Sequence, residues 1–163
     1  QRHTDRVKMT NIAQVANVLQ SMVLTRGDKM VLTPTYYVFK MYIPHQGATP
    51  IPLDVTTVRK DVRDGRSVDM LQATASRKDG KITVSLSNVD LDKEMEVAIA
   101  LGNESKAKNI SGNILTAGSI DDYNDFDKPE KVTLKPFSGA KAAKGSIKVK
   151  LPAKSIVTLT FEI

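Results

Sequence analysis

The sequence contains no cysteine and no tryptophan, and it has only two histidines among 163 residues. The absence of cysteine excludes disulfides, thiolate nucleophiles and zinc–thiolate sites. His3 and His45 lie too far apart for the i, i+4 spacing of a helical metal pair, so we predict two surface histidines and no metal site. No apolar run reaches the roughly 18 residues that a membrane-spanning helix needs, so no membrane partner is expected.

Acidic residues are absent between Glu130 and Glu162, although this stretch holds seven lysines. A nucleic-acid surface is one interpretation of that charge. The stretch has no arginine and almost no aromatic residue that could stack on bases. This favours lysines that face solvent and discourage aggregation between strands. We therefore predict no nucleic-acid partner, although the net charge is +6.

The first residues are charged and lead into no apolar signal core. Residue 1 is glutamine rather than methionine, which predicts that the chain is a piece of a longer one. An export signal upstream of residue 1 would not be visible, so the sequence leaves the cellular compartment open.

Apolar residues occupy every second position in two parts of the segment Lys81–Leu101, first from Ile82 to Leu86 and then from Val97 to Leu101. A period of two places these side chains on one face of a strand. The polar residues between the two parts indicate a turn. We interpret the segment as a β-hairpin whose apolar face needs a second sheet to cover it.

Further strands with polar turns between them follow from Ile51 onward. This spacing predicts a mainly β fold, an antiparallel, jelly-roll-like β-sandwich over residues 51–163. Asp79-Gly80 indicates a tight hairpin turn and Ser111-Gly112 a bulge. The predicted strands are Leu53–Val58, Val68–Ser76, Ile82–Asn88, Met95–Leu101, Asn109–Leu115, Lys131–Leu134, Ser146–Leu151 and Ser155–Ile163.

Residues 1–47 differ from the rest, because they hold half of the aromatic residues and only two acids. Apolar residues recur at helical spacing in Val7–Val23, although a short buried strand near Val7–Ile12 competes with that interpretation. Thr33-Pro34 predicts a helix start, and the tyrosine-rich face after it indicates core packing. Pro44 and Gly47 end that helix.

Catalytic residues are not evident in the sequence. Glycoside hydrolysis usually needs two carboxylates about 5–10 Å apart, one of them kept protonated by burial. The first 47 residues offer only Asp5 and Asp28, neither in an apolar context. The chain also lacks a serine nucleophile elbow and a glycine-rich phosphate loop. We predict no catalytic residue and no cofactor in this chain.

Four stretches resemble the C-terminal part of the α-L-arabinofuranosidases of glycoside hydrolase family fifty-one. They have the family's order and about its spacing, and together they span nearly the whole chain. The stretches are Asp5–Leu19 (DRVKMTNIAQVANVL), Leu32–Met41 (LTPTYYVFKM), Asn124–Val132 (NDFDKPEKV) and Leu151–Leu159 (LPAKSIVTL).

The resemblance implies that residues 1–47 are the last strand and helix of a catalytic (β/α) barrel and that a β-sandwich follows. Val7–Ile12 would be the last barrel strand. The family's two catalytic glutamates lie on earlier barrel strands, and no position here matches them. Gln14 would contact the substrate at the mouth of the barrel, with Asn17 as a weaker candidate.

The partners implied by the resemblance are the upstream barrel and an arabinose-containing polysaccharide or oligosaccharide. The family's sandwich often includes a strand from the far N-terminus of the full protein. Without it, one sheet edge is exposed or pairs with another chain, for instance in a homo-oligomer.

Two functions are consistent with these features. The first is an accessory domain of a retaining arabinofuranosidase that acts on arabinan or arabinoxylan. The alternative is a free-standing carbohydrate-binding or adhesion module. Such modules usually present a row of exposed aromatic residues, and the β region has only four aromatic residues. Retardation of the chain in gels containing arabinan or xylan favours the second.

Overall fold

The computed structural model describes residue 1, residues 3–102 and residues 106–163. It contains thirteen strands and one α-helix, together with two short 3₁₀ turns. The helix α1 is Pro34–Tyr42. The strands are β1 (Val23–Arg26), β2 (Lys29–Leu32), β3 (Thr49–Ile51), β4 (Arg59–Asp61), β5 (Ser67–Asp69), β6 (Leu71–Lys78), β7 (Lys81–Asn88), β8 (Met95–Ala100), β9 (Lys108–Thr116), β10 (Lys135–Pro136), β11 (Ala140–Ala143), β12 (Ser146–Leu151) and β13 (Ser155–Glu162).

Two antiparallel sheets form a sandwich, which confirms the predicted fold class. One sheet has the strand order β10-β9-β13-β7-β6-β3, and the other has the order β11-β12-β8. Alternate side chains of both sheets point into one apolar core. Its most deeply buried members are Ile147, Val149, Leu151, Val157, Leu159 and Phe161.

The predicted hairpin over Lys81–Leu101 is wrong, because its two strands belong to different sheets. Strand β7 pairs with β6 and β13, whereas β8 pairs with β12 and with no other strand of the described residues. Both strands have the predicted alternation, since both turn an apolar face towards the same core. Alternation identifies the buried face of a strand, but it does not identify the neighbouring strand.

Asn88, which is only 2% exposed, holds the crossing between the two sheets. Its side-chain Nδ2 donates to the carbonyl oxygens of Lys93 (2.9 Å), Leu151 (3.2 Å) and Pro152 (2.9 Å). Its Oδ1 accepts from the backbone N–H of Asp90 at 3.0 Å. One buried amide therefore joins the end of β7 to the start of β8 and to the β12–β13 turn.

Asp90 stabilises the same crossing through its carboxylate. Its Oδ1 accepts from the N–H groups of Asp92 (3.0 Å) and Lys93 (3.1 Å), and its Oδ2 lies 2.6 Å from Lys60 Nζ. The hydrogen bond from Lys60 and then those from the backbone lower the pKa of Asp90 to about 2. The folded chain therefore favours the deprotonated carboxylate.

We expect this carboxylate to make the chain acid-sensitive in a defined window. A lowered pKa contributes stability that is complete above the ordinary value of 3.8 and is lost as the pH falls towards about 2. Urea unfolding midpoints measured across this window should therefore fall less steeply for Asp90→Asn than for the wild type. Asp92→Asn, an exposed neighbouring substitution, serves as the control. Equal slopes for wild type and Asp90→Asn would contradict the assignment.

The predicted β6–β7 turn is confirmed, whereas two of the predicted strands and the predicted bulge are not. Asp79 and Gly80 both have positive φ and close the β6–β7 hairpin, as predicted. The predicted strands at Leu53–Val58 and Lys131–Leu134 are wrong, because neither segment forms one. The bulge predicted at Ser111-Gly112 is also misplaced, because the β9–β13 register shifts between Thr160 and Glu162, opposite residues 108–111. Gly112 instead marks a close approach of β9 to β13, since a Cβ at this position would lie 2.7 Å from Leu159.

Among the described residues before Val23, none lies in a helix or a regular strand. Neither of the two interpretations of Val7–Val23 is therefore confirmed: the helical spacing does not produce a helix, and the competing strand at Val7–Ile12 does not form in this chain. A single parallel bridge joins Ala16 to Val23. The helix predicted after Thr33 is confirmed as α1, but the Thr33 hydroxyl donates to the Ser21 carbonyl instead of capping it. Strands of parallel sheets need hydrogen-bonding neighbours on the same sheet, and residues 7–12 have none in the described chain.

Helix α1 packs its aromatic face on the outside of the six-stranded sheet. Met41 is buried there against Leu115 and Val132, with Tyr37 and Tyr42 partly buried beside it. Burial raises the pKa of both tyrosines. The tyrosine-rich face is therefore core packing, as predicted.

His45 follows this helix and is not the surface histidine that the sequence predicts. Its Nδ1 lies 2.7 Å from Ser76 Oγ, and its Nε2 lies 2.8 Å from Ser85 Oγ. Burial lowers its pKa. The ring thus joins the segment after α1 to β6 and β7.

One edge of the smaller sheet is open. Within the described residues, β8 pairs with β12 on one side and with no strand on the other. A cleft of about 530 Å³ lies along that edge, between β8, the segment 52–58 and the inner faces of β6 and β7. The described residues include no helix long and apolar enough to cross a membrane.

Candidate functional site

Gln14 and Asn17, the two residues predicted to contact substrate, line the same open cleft. The cleft has a volume of about 870 Å³ and lies beside the β1–β2 hairpin. Its lining residues are Gln14, Asn17, Val18, Leu19, Gln20, Leu24, Thr25 and Phe126. Seven of them come from the N-terminal segment and β1, whereas Phe126 comes from the sandwich.

Backbone hydrogen bonds fix the path of the chain around Gln14. The carbonyl of Val15 accepts from the N–H groups of Met22 (2.9 Å) and Val23 (3.1 Å). The N–H of Asn17 donates to the carbonyl of Val23 at 3.0 Å. Asn17 has a φ of +58°, a conformation that asparagine accepts more readily than most residues. The segment therefore folds back on β1 without forming a helix.

The two amide side chains of the cleft differ in their bonding. Asn17 is engaged by Thr25: its Nδ2 donates to Thr25 Oγ1 at 2.8 Å, and its Oδ1 accepts from the Thr25 N–H at 2.7 Å. Gln14 is exposed and makes no hydrogen bond within the described chain. The Gln14 amide is thus available to a ligand as both donor and acceptor, whereas Asn17 shapes the cleft.

Phe126 was missed as a site residue, although it lies in one of the four stretches that carry the resemblance. The Arg26 guanidinium carbon lies 4.2 Å from the centroid of its ring. Asn124, two residues earlier and 2% exposed, donates to the Leu32 carbonyl at 2.8 Å. The only sequence signal for this loop is the short NDFDKPEKV stretch, and no spacing rule links it to Arg26.

The cleft is lined by polar and apolar side chains but by no carboxyl group. Its lining includes no aspartate or glutamate. The residues that the structure describes contain no group of three or more His, Cys, Asp or Glu that could hold a metal. The arrangement can bind hydroxyl groups, but it has no general acid and no carboxylate nucleophile.

Comparisons with known proteins identify the family of the chain. The model of the α-L-arabinofuranosidase C-terminal domain matches residues 1–155. The chain is 58% identical over 162 residues to an intracellular exo-α-L-arabinofuranosidase from Bacteroides ovatus, which is 99% of this chain and 31% of that protein. The chain therefore spans about a third of the length of this curated relative.

Solved structures share the fold. The GH51 arabinofuranosidase from Xanthomonas axonopodis pv. citri matches with a TM-score of 0.92 and 41% identity, over 98% of this chain and 32% of that one. An α-L-arabinofuranosidase from Thermotoga maritima, solved as an arabinose complex, has a TM-score of 0.81 at 19% identity, over 98% of this chain and 35% of that one. At that identity the likeness shows the fold alone. With the match of the family model to nearly its whole length, the chain belongs to the α-L-arabinofuranosidase C-terminal domain family.

Proposed function

We propose that the full protein is a retaining exo-α-L-arabinofuranosidase that releases terminal arabinofuranosyl units from arabinan or arabinoxylan. Its reaction proceeds through a covalent glycosyl-enzyme intermediate on a carboxylate. This chain contributes the accessory β-sandwich over residues 51–163. Residues 1–47 contribute the last segment of the catalytic barrel.

The observation that carries the proposal is the position and hydrogen bonding of the Gln14 side chain. It lines an open cleft, its amide has no hydrogen-bond partner among the described residues, and the lining of that cleft has no carboxylate. A cleft that can hydrogen-bond a sugar and cannot cleave it fits a site completed by another part of the protein. The same position lies in Asp5–Leu19, one of the four stretches that carry the family resemblance.

The upstream barrel is the partner that the exposed apolar surface supports. Large apolar side chains point to solvent along the N-terminal segment, and Leu19 is fully exposed. Single exposed apolar side chains are common on protein surfaces, but several of them in one part of the chain indicate a contact surface. The exposed set in this part of the chain is Val7, Met9, Val15, Leu19, Met30, Phe39 and Ile43.

The open edge of β8 supports a second contact. A strand edge with free N–H and C=O groups pairs readily with another strand. We assign this position to a strand from elsewhere in the full protein, with a second copy of the chain as the other occupant. Either occupant would also cover the adjoining cleft between the sheets.

Replacing Gln14 tests the proposed function. In the full-length protein, Gln14→Ala should lower kcat/KM for 4-nitrophenyl α-L-arabinofuranoside by roughly tenfold or more, which corresponds to about 1.4 kcal/mol or more of lost transition-state binding. The melting temperature should not change, because the side chain is exposed and unbonded.

Gln46→Ala is the matched control, because the side chain of this exposed glutamine makes no hydrogen bond within the described residues. Its hydrogen bonds are made by the backbone: the carbonyl accepts from Lys78 Nζ, and the N–H donates to the Ile43 carbonyl. This variant should retain wild-type kinetics. Wild-type kcat/KM in Gln14→Ala would remove Gln14 from the site.

A further inference from the structure

We propose that Phe126 and Asn124, on the sandwich side, are positioning residues that fix the shape of the Gln14 cleft. This inference rests on the proposed function. It gives the sandwich a part in sugar binding beyond packing against a barrel. The loop that carries both residues, residues 117–134, joins β9 to β10 and reaches the β1–β2 hairpin.

Asn124 attaches this loop to the hairpin. Its Nδ2 donates to the Leu32 carbonyl, the last residue of β2, at 2.8 Å. The same nitrogen donates to the Val132 carbonyl at 2.8 Å, and Oδ1 accepts from the Val132 N–H at 2.7 Å. All these contacts are made by a side chain withdrawn from solvent, so they fix where β2 ends relative to the sandwich.

Phe126 holds the other strand of the hairpin. Asp125 and Lys128 exchange backbone hydrogen bonds at 3.3 and 3.0 Å and close a tight turn around it. Asp125 Oδ1 also accepts from the Phe126 N–H at 2.7 Å. The ring is thereby presented to Arg26, the last residue of β1, in a cation–π contact.

Hydrogen bonds connect the β1–β2 hairpin, which Phe126 and Asn124 hold in place, to the residues of the cleft. Thr25, next to Arg26, holds both atoms of the Asn17 amide. Val23 accepts from the Asn17 N–H, and its own N–H donates to Val15, the neighbour of Gln14. Every step from Phe126 to Gln14 is therefore a direct contact or a covalent neighbour.

Loss of the Phe126 ring should let the end of β1 move and should widen the range of Gln14 positions. A ligand then has to select the competent arrangement, which raises KM. In the full-length protein we expect Phe126→Ala to lower kcat/KM for 4-nitrophenyl α-L-arabinofuranoside by about fivefold, the scale of one lost cation–π contact. Phe126→Tyr keeps the ring and should restore most of the value. Tyr123→Ala is the matched control, because Tyr123 lies on the same loop with its side chain 65% exposed.

A double-mutant cycle separates positioning from a general structural effect. If Phe126 acts through Gln14, then Phe126→Ala should cost less than about twofold in the Gln14→Ala background. The same loss in both backgrounds, or no loss in the wild-type background, would overturn the inference.

Hydrogen exchange of the full-length protein provides a readout that does not depend on activity. The Thr25 N–H, which donates to Asn17, should exchange about fivefold faster in Phe126→Ala than in Tyr123→Ala. Unchanged exchange at Thr25 would refute the positioning role of Phe126 even if the enzyme were active. Faster exchange together with an inactive wild type would support the positioning role of Phe126 and refute the proposed function.

Discussion

Assayed alone, this chain should release no 4-nitrophenol from 4-nitrophenyl α-L-arabinofuranoside. A retaining glycosidase needs two carboxyl groups about 5–5.5 Å apart, one protonated and one ionised. The Gln14 cleft is lined by amides, a hydroxyl and apolar side chains, with no carboxyl group. The expected loss relative to the full-length protein is therefore complete.

Two carboxyl groups of the described chain have pKa values shifted in the direction opposite to that which a general acid needs. Hydrogen bonds from Lys60 and Lys131 lower the pKa values of Asp90 and Asp122, respectively. A general acid at neutral pH needs a raised pKa, so these shifts have the wrong direction. Turnover that co-elutes with the chain through successive purification steps would contradict this prediction.

Asn88→Ala should lower the free energy of unfolding by about 3 kcal/mol, the cost of leaving buried polar groups unpaired. The substitution removes the donor for the carbonyls of Lys93, Leu151 and Pro152 and the acceptor for the Asp90 N–H. These groups lie where the chain crosses between the sheets, so the substitution removes hydrogen bonds that join the two sheets.

Urea unfolding of the wild-type and variant chains measures this effect. Asn113→Ala on β9 is the matched control, because its side chain is exposed and makes no hydrogen bond within the described residues. The control should change the unfolding free energy by less than about 0.5 kcal/mol. A change that small in Asn88→Ala would show that the crossing does not depend on this amide.

The sequence predicted the sandwich because side-chain alternation follows from the geometry of a strand that is buried on one face. It did not predict which strands pair. The polar residues after β7 look like a hairpin turn, yet Asn88 and Asp90 hold them in a crossing to the opposite sheet. That role depends on Leu151 and Pro152, which are distant in sequence.

The segment Leu53–Val58 (LDVTTV) forms no strand for a related reason. It lines the cleft between the two sheets, next to the open edge of β8. A strand needs a neighbouring strand with a ladder of backbone hydrogen bonds. The Val58 carbonyl accepts from the Met70 N–H at 2.9 Å, but the described part of the chain gives this segment no such ladder. The helical spacing in Val7–Val23 does not produce a helix either, and four of its large apolar residues, Val7, Met9, Val15 and Leu19, lie exposed.

The site was only partly predictable. Gln14 and Asn17 came from the family resemblance, and the structure brings them to one cleft. Phe126 could not be found from spacing, because its link to Arg26 is a contact between distant segments. His45 appeared to be a surface residue, since sequence gives no sign of the serine hydroxyls on β6 and β7 that enclose it.

The most direct test of the central claim is a side-by-side assay of the full-length protein and this chain. Equal molar amounts are incubated with 4-nitrophenyl α-L-arabinofuranoside, and the first sugar product is followed by proton NMR. We predict that only the full-length protein releases L-arabinose and that the product first appears with retained anomeric configuration. A full-length protein that leaves the arabinofuranoside intact would contradict the account.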